Sequence, residues 1–81
     1  MILLVNTMSR TTEMLGTVIS RHRTVEAAEK ADRKLQASIR RNNGQSSYLP
    51  TIMVRELDGR LPNRLYRLPE SAWKQVSSLD Y

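Results

Sequence analysis

Apolar positions along this chain follow three patterns, and each predicts a different element. From Met14 to His22 the residues Leu15, Val18 and Ile19 stand among Thr17 and Ser20, a β-branched composition that predicts a strand. Gly16 inside it marks a bulge or a close backbone approach. From residue 24 the period changes. Val25, Ala28, Ala31 or Asp32, Leu35 and Ile39 recur at steps of three and four, one face of an amphipathic helix. Thr24 is placed to cap it, with Glu26 in the first turn facing the positive end of the helix dipole. Arg40 and Arg41 fall in the last turn, and Asn42-Asn43-Gly44 supplies the stop, so the predicted helix covers 24–42. Glu26–Lys30 and Glu29–Arg33 are i,i+4 pairs in the favourable order.

Residues 47–57, centred on Ile52, Met53 and Val54, predict a second strand, with Pro50 near its start. Asp58-Gly59 is a hairpin signal, and residues 60–68 predict a third strand that Pro62 confines to a sheet edge. Pro69 can open a short last helix, in which Ala72, Trp73, Val76 and Leu79 form an apolar stripe. Residues 6–13 are polar and without period. The reading is therefore a flexible tail or short edge strand over 1–13, followed by one α+β domain over 14–81. Its expected architecture is β-α-β-β-α, a single sheet with the long helix packed on one face. Repeats and low-complexity tracts are absent from the sequence.

Composition narrows what such a domain can be. Leu, Val and Ile supply 19 of 81 residues and Phe none, just above the roughly 20% below which disorder becomes the default. The core must be aliphatic, with little stability to spare in a chain this short. The chain has no cysteine, which removes disulfides, thiolate metal sites and a cysteine nucleophile, and its single histidine argues against zinc. No metal and no cofactor is expected. The apolar run Ile2-Leu3-Leu4-Val5 is too short for a signal peptide or a membrane span, so the expected location is the cytoplasm with no membrane partner.

Charge supplies the functional expectation. Thirteen Lys+Arg stand against eight Asp+Glu, and ten of the thirteen are Arg. Arginine presents a planar fork of donors suited to phosphate and carboxylate. The candidate contacts are Arg21-His22-Arg23 before the helix N-terminus, where anions are favoured; Arg33 and Lys34 on the helix; and Arg60, Arg64 and Arg67 with Tyr66 on the third strand, where a ring can stack a base. Leu65 and Trp73 are the candidate interface residues, for a homodimer or a partner. Each has an ordinary counterpart: a solvated turn, a solvated helix face, an arginine-guarded edge, a core tryptophan.

The expected function is a small, basic, non-catalytic binding module, a nucleic-acid-associated accessory or regulatory protein that grips phosphates through arginine. The alternative is a protein-binding module, such as a small phage or mobile-element protein that blocks or adapts a host complex, whose partner is acidic or itself binds nucleic acid. A metal-independent ribonuclease, with His22 as base, Arg64 or Arg67 on phosphate and Tyr66 as orienter, ranks last. It requires those groups to converge.

Overall fold

The computed structural model describes residues 1–8, 10–57, 59, 61–66 and 73–76. The elements in chain order are β1 (Ile2–Asn6), β2 (Met14–His22), α1 (Val25–Asn43), β3 (Thr51–Glu56), β4 (Arg64–Tyr66) and β5 (Trp73–Val76). The strands make one sheet in the order β4-β2-β1-β3-β5, and every neighbouring pair is antiparallel. The fold is α+β. Among the described residues no helix is long and apolar enough to cross a membrane.

The first correction concerns the N-terminal segment. Ile2–Asn6 is neither a tail nor an edge strand but the middle strand, paired with β2 on one side and β3 on the other. Its composition explains the position. A strand with apolar cover on both faces reads as an unbroken apolar run, and Ile2, Leu3, Leu4 and Val5 are all buried. Alternation then divides them. Leu3 and Val5 join Leu15, Val54, Leu61 and Leu65 on one face, while Ile2 and Leu4 join Ala28 and Met53 on the other. Residues 7–13 link β1 to β2. Gly16 is required by this link: a Cβ there would overlap the Asn6 carbonyl oxygen and lie 2.8 Å from Val5 Cγ1.

Helix α1 covers the face of Ile2 and Leu4, with Val25, Ala31 and Leu35 packed around Ala28. It rests on β1, β2 and β3 and leaves the edge strands uncovered. Its ends match the sequence expectation. Thr24 Oγ1 accepts from the Ala27 N–H at 3.1 Å, and the Gly44 N–H, at φ 112°, donates to the Arg40 carbonyl at 2.9 Å. Gln36 is buried because it holds the return loop: its Nε2 donates to the Leu49 carbonyl at 2.7 Å and its Oε1 accepts from the Leu49 N–H at 3.0 Å. β2 and β3 thus run in the same direction on either side of β1, joined through α1.

Two further expectations are corrected. Asp58-Gly59 does not close a hairpin, because β3 pairs with β1 and β5 while β4 pairs with β2 on the far side of the sheet. The decisive residue is Leu61, buried among Leu3, Val5 and Leu65. The connection between β3 and β4 therefore crosses the face opposite α1. It is tied down there by the Leu61 N–H on Glu56 Oε2 and by the Val18 N–H on the Asn63 carbonyl at 2.7 Å. Among the described residues β4 is an edge strand, but it covers only Arg64–Tyr66 of the expected 60–68: Pro62 lies in the connection before it, and residues 60, 67 and 68 lie outside the described residues. The last predicted helix is instead strand β5 over Trp73–Val76; its residues 69–72 and 77–80 lie outside the described residues. Trp73 pairs with Glu56 and packs on the Leu3 side, while Val76 pairs with Met53 and packs against the cluster of Ile2, Leu4 and Met53 on the other side. A three-residue spacing that suits one helix face also suits the two faces of a strand.

Candidate nucleic-acid interface

Strand parity decides where each candidate cation ends up. Arg21 stands opposite Leu3, on the face away from α1. Its Nη1 lies 3.4 Å from Glu56 Oε2, its Nη2 donates to the Leu61 carbonyl, and Asn63 Oδ1 is 3.5 Å away. The two side chains are 19% and 8% exposed. Arg21 and Glu56 together pin residues 61–63 to the sheet, so Arg21 leaves the set of phosphate contacts. His22, one residue on, faces the other way, opposite Ile2, with its Nε2 2.7 Å from Ser20 Oγ. Arg23 is exposed in the turn before α1.

Leu65 is fully buried, at 0% exposure, and is core rather than interface. Trp73 is half-buried against the same cluster, and its indole Nε1 is buried with no hydrogen-bond acceptor among the described residues. Arg64 and Tyr66 flank Leu65 and so project on the helix side, where Arg64 pairs with Thr17. Both are exposed, as is Thr17. Arg33 and Lys34 are exposed on α1. Arg60 and Arg67 lie outside the described residues.

The helix orientation brings some of these together. Asp32 accepts from Thr51 Oγ1 at 2.8 Å, and Gln36 bonds to Leu49, so this flank of α1 faces β3. At about 100° per residue, Ala31, Lys34 and Ser38 belong to the opposite flank, toward β2 and β4. Lys34 therefore borders the uncovered shelf that carries Thr17, Arg64 and Tyr66. His22 is not part of that group. It lies five residues along β2 from Thr17, roughly 16 Å at strand rise. His22, Arg64 and Tyr66 are thus kept apart, whereas the ribonuclease reading needs them together.

Sequence reasoning missed one pair. Arg55 and Lys74 stand directly opposite each other on β3 and β5, both exposed, on the helix side with Ile2. Like charges at opposed strand positions repel, and among the described residues neither has an acidic partner. A helix drawn over Trp73 and Lys74 hid this pair, since only the register of two adjacent strands reveals it.

Comparison with known proteins adds no relative. No family model, curated protein or solved structure matches the chain. What the surface does must therefore be read from its own chemistry. Among the described residues Arg10, Arg23, Lys30, Arg33, Lys34, Arg40, Arg41, Arg55, Arg64 and Lys74 are exposed, but of the acids only Glu13 and Glu26 are. Arg21–Glu56 is the one ion pair among them. Asp32 and Glu56 serve internal donors, and no group of three or more His, Asp or Glu is placed to hold a metal.

Proposed function

We propose that this chain is a nucleic-acid-binding module that grips phosphates from the helix side of its sheet. Lys34 and Arg64 form the centre of the surface, with Arg33, Arg23 and the Arg55–Lys74 pair extending it. The observation that carries the reading is the sorting of charge. Among the described residues Asp32 and Glu56 are turned inward onto Thr51, Gln36 and Leu61 and Glu13 and Glu26 are the exposed acids, while ten exposed cations lie on several separate elements with no ion pair among the described residues. Such a surface releases counterions from a phosphate backbone when it binds.

The test is a titration of labelled single strands and duplexes of RNA and DNA at two salt concentrations. Affinity is expected to fall steeply with salt, and the Arg33→Glu/Lys34→Glu variant to reduce the slope by about one per lost phosphate contact. Absence of binding to every probe at low salt overturns the reading. A second reading rests on the sheet edges. Among the described residues β4 and β5 each have a single strand neighbour, and an open edge accepts a strand from a protein partner or from a second copy. Sedimentation equilibrium across a wide concentration range tests the homodimer, and a strict monomer removes it.

A further inference from the structure

We infer that the preferred ligand is single-stranded, with a base stacked on the ring of Tyr66; this rests on the nucleic-acid reading above. Tyr66 is 46% exposed although it sits in a strand whose next residue inward, Leu65, is fully buried. The ring is not needed to close either apolar cluster. Among the described residues α1 makes no contact with β4, so no described element covers the surface beside the ring.

Three features of this shelf suit an unpaired strand. Arg64 and Tyr66 are two residues apart on one strand face, roughly 7 Å along the chain. A phosphate held by Arg64 thus leaves its own base within reach of the Tyr66 ring. Thr17, exposed opposite Arg64, adds a hydroxyl at the same level. Lys34 borders the shelf from the helix and gives the backbone a second cation. In a duplex the base faces are already stacked on one another, so an aromatic ring on a sheet surface has no π-face to meet. Stacking on a protein ring is selective for unpaired bases and tolerant of their sequence.

The experiment compares a labelled twelve-residue oligouridine and oligothymidine with a twelve-base-pair duplex, at one low salt concentration and one higher. Tyr66→Ala is expected to weaken single-strand binding by about 5- to 100-fold. Its salt dependence should be unchanged, since no phosphate contact is lost, and duplex binding should be unaffected. Tyr66→Phe should retain most of the affinity, which separates stacking from hydrogen bonding by the hydroxyl. Circular dichroism of both variants guards against misfolding, and a photocrosslink from a 5-bromouridine oligomer to Tyr66 is the second expected result. The inference is overturned if Tyr66→Ala binds as the parent does, or loses single strand and duplex equally. It is also overturned if the variant loses self-association while nucleic-acid binding is intact, because the edge then serves a second copy. In the first of these outcomes the salt-dependent, Arg33- and Lys34-dependent binding persists, so the broader reading survives. Failure of the parent chain to bind any probe removes both.

Discussion

The two sides of the sheet use arginine in opposite ways. On the side away from α1, Arg21 is folded into the structure: it reaches Glu56 and Leu61 and fastens a connection that carries Leu61 into the core. On the helix side, Arg55 and Arg64 form no ion pair among the described residues, and Arg55 is set against another cation. The residue type is the same and the strands belong to one sheet, so the difference comes from parity. A cation on the enclosed side must be paired and hydrogen-bonded, because leaving it buried and alone is costly. A cation on the open side costs little and is free to meet an anion from outside. Basic composition alone therefore says little about binding; the side on which each cation projects says more.

The sharpest way to break this comparison is to remove the strand that separates the two sides. Deleting residues 1–6 takes away β1, with four buried apolar residues and the pairing to both β2 and β3. The expected result is loss of the cooperative thermal transition, read by circular dichroism. A shortened chain that melts as the parent does would mean that β2 and β3 hold the sheet without it.

Next in size are adjacent residues on opposite sides. Leu65→Ala should cost about 2–5 kcal/mol, as for a fully buried leucine. Tyr66→Ala, its neighbour, should cost a small fraction of that. Likewise Glu56→Ala should destabilise by about 2 kcal/mol or more, since it strands Arg21 and the Leu61 N–H. Arg55→Ala, one residue away, should stay within about 0.5 kcal/mol. Urea unfolding of the four variants measures all of this. Equal losses within either pair would show that parity does not sort these residues as described.

Much of this was legible in the sequence, and the failures share a cause. α1 was readable from Thr24 to Gly44 because caps, period and dipole charges are local signals that agree. The edge position of β4 agrees with the expectation, but Pro62 is not its cause, since it lies before the strand. What was not legible depends on pairing across distance. A four-residue apolar run is as consistent with a frayed end as with a central strand until two partners are found for it. Asp58-Gly59 signals a turn, but whether the flanking strands pair is decided by Leu61 and Leu15, which no short window contains. Trp73 and Val76 fit a helix stripe and a strand equally well, and choosing the helix concealed the Arg55–Lys74 pair. The candidate site is half visible in the sequence: residue type singles out Arg33, Lys34, Arg64 and Tyr66, whereas the inward placement of Arg21 and Leu65 depends on the parity of β2 and β4, which the sequence does not show.

Binding should separate from stability on the open side. Arg33→Glu combined with Arg64→Glu should weaken nucleic-acid affinity by an order of magnitude or more at low salt, while the melting temperature changes by only a few degrees. Thermal melts beside the titrations check this. A variant that loses both together would place these cations in the structure rather than on a binding surface.

The smallest effect expected is also the most specific to this sheet. Arg55 and Lys74 face each other across β3 and β5 with no acid between them. Directly opposed charges contribute roughly 0.2–1 kcal/mol, with the sign set by whether they match. Lys74→Glu should therefore stabilise the fold, by up to about 1 kcal/mol at low salt, by turning repulsion into attraction. For a domain of this size that is a rise of roughly 4–8 °C in melting temperature at most. The gain should shrink in high salt, because both groups are exposed and screened. Lys74→Gln, which removes the repulsion without adding attraction, should fall between parent and Lys74→Glu. Binding should move the opposite way, weakest in Lys74→Glu, because a cation that disfavours the free fold is then one that a phosphate satisfies. A Lys74→Glu chain that is no more stable, or that binds nucleic acid as tightly as the parent, would remove this pair from the surface and leave Arg33, Lys34 and Arg64 to carry it.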